Sequence, residues 1–85
     1  MSAFEVPEKL KHLVGKYDAF LDVEVAQIKA ETEDFKKIVE RGLLGKLTSR
    51  LSEQFGLDFF FEATYLVIEY CRRHDINVPT RVRVL

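Results

Sequence analysis

The residues in this sequence that could do chemistry are few and stand apart from one another. The single cysteine, Cys71, lies among apolar residues, whereas a reactive thiolate needs a nearby base or an electropositive, partly exposed setting. His12 and His74 are far apart in sequence and have no companions at metal-ligand spacing. The pattern therefore predicts a buried structural cysteine, no metal ion and no cofactor.

Neither the acidic residues nor the glycines complete an active site. Glu62 and Glu69 would lie about 10 Å apart along one helix, where a polar stripe on a buried helix is commoner than an acid–base pair. The glycines are isolated and lack the GxxxxGK or GxGxxG spacing of phosphate-binding loops. We expect a protein that is not an enzyme and has no catalytic residues.

The most concentrated basic region lies near the C-terminus and consists of Arg72, Arg73, Arg81 and Arg83. These arginines could bind phosphate or an acidic protein surface. They could also neutralise the negative end of a helix and protect an edge strand from stray pairing. Since the net charge of −1 gives no general attraction to nucleic acid, nucleic-acid binding is the less favoured function.

The element that must position many of these residues is the segment Asp58–His74. Its polar residues recur at steps of four and three, which places them within an arc of roughly 100° on a helix. A strand would put Glu62 and Glu69 on opposite faces. We predict a helix capped by Asp58 and apolar around most of its circumference, which other elements must surround.

A continuous apolar row occupies the N-terminal half of the chain. Its steps alternate between four and three, the pattern of a coiled-coil or helical-bundle seam. We predict one long helix, Pro7–Arg41, because the row keeps its phase through Gly15; the alternative is a fresh helix at Ala19, capped by Asp18. The row consists of Leu10, Val14, Tyr17, Leu21, Val25, Ile28, Thr32, Phe35 and Val39.

Two further elements complete the predicted fold. A short amphipathic helix, Leu43–Phe55, is bounded by Gly42 and by Gly56, which suits a left-handed cap. Alternating apolar residues in 77–84 predict a short strand that would pair with Ser2–Val6 or with another molecule. The whole is a single all-α domain, residues 1–85, with one long N-terminal helix, two shorter helices and a short extended C-terminal tail.

This fold leaves more apolar surface than one chain readily covers. A helix from residue 7 to residue 41 would extend about 50 Å, longer than two short helices can cover. We therefore expect self-association into a homodimer or a higher homo-oligomer, most simply a two-fold homodimer that completes a helical bundle. The predicted dimer or partner interface consists of Leu21, Val25, Ile28, Phe35, Val39, Phe59 and Phe60.

The expected function is that of a small non-enzymatic interaction protein, an adaptor, regulator or assembly subunit that binds itself and another protein. The alternative is a nucleic-acid-binding transcriptional regulator that uses the C-terminal basic region. Residues 18–34 hold six acids against one lysine, and residues 35–57 hold five bases against two acids. The acidic block is a candidate partner surface or simply a solvated helix face. With no apolar run of about 20 residues, no signal-peptide pattern and one cysteine, a cytoplasmic location without membrane contact is expected.

Overall fold

A short 3₁₀ helix and four α-helices make up most of residues 5–79, the part of the chain that the computed structural model describes. No strand occurs within those residues, so the all-α prediction is confirmed for them. The elements are the 3₁₀ helix Glu8–Leu13, α1 Asp18–Glu31, α2 Phe35–Arg41, α3 Leu43–Phe55, a π-helical turn Phe59–Ala63 and α4 Thr64–Arg73.

The predicted single helix Pro7–Arg41 is wrong at its N-terminal end, because the chain breaks after the 3₁₀ helix. Gly15 adopts a φ of +88°, a left-handed conformation that ends any helix running through it. The alternative of a new helix near Ala19 is close, since α1 begins at Asp18 with Tyr17 at its N-cap. Asp18 does not cap the helix, because its carboxylate is bound by Arg73 instead.

A second break, at residues 32–34, separates α1 from α2. Thr32 is extended, with φ −122° and ψ 149°, and Asp34 caps α2 by accepting a hydrogen bond from the backbone N–H of Lys37 at 3.2 Å. Thr and Asp side chains compete with the helical backbone in this way. The apolar row contains no sign of the break, because its spacing is the same on either side.

The short helix and its two glycine boundaries are confirmed. α3 spans Leu43–Phe55, with Gly42 at its start. Gly56 follows in the left-handed conformation, with φ +68°, and its backbone N–H donates to the carbonyl of Ser52. The Ser52 hydroxyl in turn donates to the carbonyl of Leu57 at 2.6 Å. These bonds satisfy groups that the helix end would otherwise leave without partners.

The predicted helix Asp58–His74 is confirmed as helical, although its first turn is a π-helix. α4 lies in the core and packs against α3. Truncating a buried Leu or Ile in such a core costs about 2–5 kcal/mol. The most completely covered apolar side chains of the two helices are Leu43, Leu47, Leu51, Val67, Ile68, Tyr70 and Cys71.

The end of α4 is a Schellman motif. Asp75 takes a left-handed φ of +56°, its N–H donates to the carbonyl of Arg72 at 3.3 Å, and the N–H of Ile76 donates to Cys71 at 2.8 Å. Residues 77–79 of the predicted C-terminal strand are not a strand. Residues 80–84 of that strand, and most of its predicted partner Ser2–Val6, lie outside the described residues.

Candidate interaction surfaces

A polar cluster joins α1 to the end of α4. The Tyr70 hydroxyl donates a hydrogen bond to Oδ1 of Asp22 at 2.5 Å, and the His74 ring stacks on Tyr70 with centroids 4.0 Å apart. His74 Nδ1 lies 2.8 Å from the Tyr70 carbonyl, which can only accept. Burial, followed by the hydrogen bond to Asp22, raises the pKa of Tyr70. The hydroxyl therefore keeps its proton at neutral pH and acts as a clamp between helices.

Cys71 lies beside this cluster but does not join it. The side chain is buried, and burial raises the pKa of the thiol to about 11. A thiol with that pKa is almost entirely protonated at neutral pH and is a poor nucleophile. The predicted burial of this cysteine is confirmed.

Several charged residues of the acidic block and of the basic region are paired within the chain. Arg73 binds Asp18 through two hydrogen bonds, of 2.7 and 3.0 Å, and this contact lowers the pKa of Asp18. Arg50 likewise forms a bidentate pair with Glu24, with hydrogen bonds of 3.1 and 3.3 Å. The acidic block of α1 is thus used largely to hold α1 against α3 and α4.

Arg72 and Arg73 are the residues of the predicted basic contact that the structure describes, and both have acidic partners within the chain. Arg73 is engaged by Asp18, and its Nε also lies 3.5 Å from Glu69. Arg72 lies 3.5 Å from the same glutamate. Arg81 and Arg83 lie outside the described residues. Between residues 5 and 79, therefore, the C-terminal arginines stabilise the end of α4.

The residues of the predicted dimer interface are divided between the core and the surface. Leu21, Val25, Ile28 and Val39 are between 1% and 9% exposed and belong to the core of one chain. Phe35 packs against the same core, under Lys29, whose Nζ lies 5.0 Å from the ring centroid. Phe59 is half-buried, and Phe60 is 85% exposed. A single closed chain does not test the dimer itself.

Two of the exposed large apolar side chains of the described residues, Phe60 and Phe61, are adjacent in sequence, and the segment Phe59–Phe61 is here called the aromatic turn. Phe60 is 85% and Phe61 38% exposed, and the ring of Phe60 contacts only the edge-on ring of Phe59 among the aromatic pairs of the described residues, at 5.0 Å. Burying one such side chain is worth roughly 1.5–3 kcal/mol. A contiguous exposed apolar segment of this kind is informative, whereas scattered exposed apolar residues are not.

Backbone hydrogen bonds hold the aromatic turn in place. The N–H of Ala63 donates to Asp58 at 2.9 Å, five residues back, as in a π-helix. Asp58 Oδ1 accepts from the N–H of Phe61 at 2.8 Å, and Glu62 Oε1 accepts from the N–H of Asp58 at 2.9 Å. This is a reciprocal capping box, widened by one residue because the turn is wider. The spacing of Asp58 and Glu62, four residues and not three, is the sequence signal that could have revealed it.

Two neighbouring cavities, of about 380 and 270 Å³, lie where α1, α2 and the end of α4 meet. Both are lined by Lys29, His74 and Ile76. On the rim of the larger one, Lys29 and Lys36 are balanced by Glu40 and Asp75. The rim therefore favours neither an anionic nor a cationic ligand.

The described residues contain neither a metal-binding cluster nor a helix that could span a membrane. Within residues 5–79 no three His, Cys, Asp or Glu side chains are grouped to hold a metal ion. Over the same residues, no helix has both the length and the apolar character needed to cross a bilayer. Comparison with protein-family models, with curated proteins and with solved structures finds no match to this chain.

Proposed function

We propose that this chain is a small non-enzymatic interaction protein that works as a homodimer and binds another protein through the aromatic turn. The observation that carries the proposal is the 85% exposure of Phe60 in a turn fixed by the capping box of Asp58 and Glu62. Preorganised aromatic side chains bind well, because they bury large apolar area and lose little conformational freedom on binding.

The pairing of the charges supports this choice of surface. Asp18 of the acidic block already pairs with Arg73 of the basic region, and Glu24 pairs with Arg50 of α3. A partner that used these charges would first have to break contacts within the chain. The aromatic turn requires no such loss, since packing Phe60 against a partner removes its apolar surface from water, which is favourable by itself.

Photo-crosslinking from position 60 tests the partner contact. Phe60 is replaced by p-benzoylphenylalanine, an aromatic residue of similar shape, and the chain is expressed in its native host and irradiated. Val23, which is 63% exposed, carries the same replacement as the matched control. We expect one discrete adduct from position 60 and none from position 23. An identical adduct pattern from both positions, or no adduct from position 60, contradicts the proposal.

A further inference from the structure

Nothing in the sequence of the break between α1 and α2 forces the chain to turn there. Residues 31–34 contain neither proline nor glycine. The apolar row also keeps its phase, since Ile28 and Phe35 are seven residues apart, as on a continuous helix. Two exposed hydrogen bonds hold the turn: Asp34 Oδ1 accepts from Lys37 N at 3.2 Å, and Thr32 Oγ1 accepts from Asp34 N at 3.3 Å. A straight helix through this segment is therefore a close competitor.

The break divides the described chain into two parts, which we call the arm (residues 5–31) and the body (residues 35–79). The polar contacts between them include the pairs Asp18–Arg73 and Glu24–Arg50 and the hydrogen bond from Tyr70 to Asp22. The arm's buried side chains Leu21, Val25 and Ile28 belong to the same core cluster as the leucines of α3. The covalent connection between the two parts is the segment 32–34.

We propose that two copies of this chain exchange arms. Residues 32–34 straighten, α1 and α2 join into one helix, and the arm of each copy packs on the body of the other. Every arm–body contact is remade with the same residues, so the closed monomer and the exchanged dimer differ chiefly at the hinge. This inference rests on the homodimer of the proposed function and specifies its interface.

Arm exchange also explains why the apolar row continues through the break. Leu21, Val25 and Ile28 form the core of one chain in the closed monomer and lie between chains in the exchanged dimer. The joined helix, residues 18–41, would extend about 36 Å. The row's unbroken four–three spacing matches that helix, whereas the closed monomer uses the row in two separate pieces.

Hinge variants test whether residues 32–34 govern the association of two chains. Thr32→Ala with Asp34→Ala removes both local hydrogen bonds and favours helix, and we expect the monomer–dimer equilibrium to shift about thirtyfold towards dimer, because each dimer contains two hinges. Glu33→Pro should shift the equilibrium towards monomer. Thr32 already has the extended backbone that a residue before proline prefers, but proline in a continuous helix would clash with the preceding turn. We expect it to remain monomeric.

Glu33→Ala is the matched control for the hinge, because it alters the same segment without removing either hydrogen bond. It should shift the equilibrium far less than the double variant. If the double variant and Glu33→Pro both keep the wild-type proportion of dimer in sedimentation equilibrium, the hinge does not govern association and the inference fails.

Charge complementation tests the exchange itself. One variant carries Asp18→Arg and Glu24→Arg in its arm, and the other carries Arg50→Glu and Arg73→Asp in its body. Each closed monomer then has like charges at both contacts. In an exchanged heterodimer, each arm meets a body of opposite charge, so all four contacts are restored.

The two variants are unfolded together, refolded at equal concentration and examined by native mass spectrometry and thermal unfolding. We expect a 1:1 heterodimer that melts at a higher temperature than either variant alone and survives dilution, since separation requires the arms to detach. A mixture without heterodimer, while the wild type dimerises, contradicts arm exchange but not the homodimer. A wild-type chain that is monomeric at all concentrations contradicts both.

Discussion

Replacing Asp75 by glycine is expected to stabilise the protein, because this residue holds a conformation and a charge that its position disfavours. It lies just beyond the end of α4 with φ +56°, where a side chain costs about 1 kcal/mol relative to glycine. Its negative charge also faces the negative end of the helix, at a cost of about 0.5 kcal/mol. Glycine's greater freedom in the unfolded chain offsets part of the gain.

The net expectation is a gain of about 1 kcal/mol in the free energy of unfolding, or roughly 4–8 °C in Tm for a domain of this size. Two further variants separate the causes. Asp75→Asn removes the charge and keeps a side chain that tolerates the left-handed conformation, so it should gain about 0.5 kcal/mol. Asp75→Ala removes the charge but fits the conformation poorly, so it should gain nothing.

Urea and thermal unfolding measure the series at neutral pH and moderate salt. The order glycine, asparagine, then alanine and wild type supports the Schellman motif seen here. A glycine variant that is no more stable than the wild type would refute the reasoning, because both costs are assigned to the same residue.

Variants at three other positions probe the core and its clamps. Thr48 is 1% exposed, and its Oγ1 has no hydrogen-bond partner among the described residues, so Thr48→Val should raise the free energy of unfolding by about 1 kcal/mol. Thr48→Ser keeps the hydroxyl and loses a methyl group, so it should lower the free energy of unfolding. Urea melts that show the reverse order of stability contradict this. Tyr70→Phe removes the hydrogen bond to Asp22 and should cost about 1–2 kcal/mol, and an unchanged urea midpoint would mean that the clamp contributes nothing. Because Arg73 lowers the pKa of Asp18 in the folded protein, this carboxylate stabilises the fold above its unfolded pKa, and that contribution is lost as the pH falls below about 4. Arg73→Ala should reduce this acid loss, as measured by Tm against pH, and an identical acid profile argues against the pair.

Local signals in the sequence predict the two helical segments of the C-terminal half, although not the π-helical turn. Gly42 and Gly56 mark the two ends of α3, because glycine is favoured at helix ends. The four–three spacing of the polar residues also identified Asp58–His74 as helical, since that spacing separates a helix from a strand without reference to the rest of the chain.

The break between α1 and α2 could not be predicted from the same kind of signal. Periodicity records only the phase of the apolar residues, and that phase is the same in a continuous helix and in two helices joined by a short turn. Thr32 and Asp34 are acceptable within a helix and good at a helix start, so local preference does not decide between them. Sequence patterns alone therefore do not show whether α1 and α2 are continuous.

The candidate sites illustrate the same limit. Arg73 belongs to a basic cluster in the sequence, but it lies 55 residues from Asp18, with which it pairs, so only the tertiary structure shows that its charge is used. Phe60 was predicted to lie at an interface because it falls on the apolar side of a helix. The π-helical turn that exposes it depends on the wide capping box of Asp58 and Glu62.

The most direct test of the homodimer is the molar mass of the purified chain in solution. Multi-angle light scattering across a concentration series, from about 1 to 300 µM, measures it without reference to shape. The account predicts a species of twice 9.9 kDa that persists when it is isolated and diluted. A mass of 9.9 kDa across the whole series would contradict it.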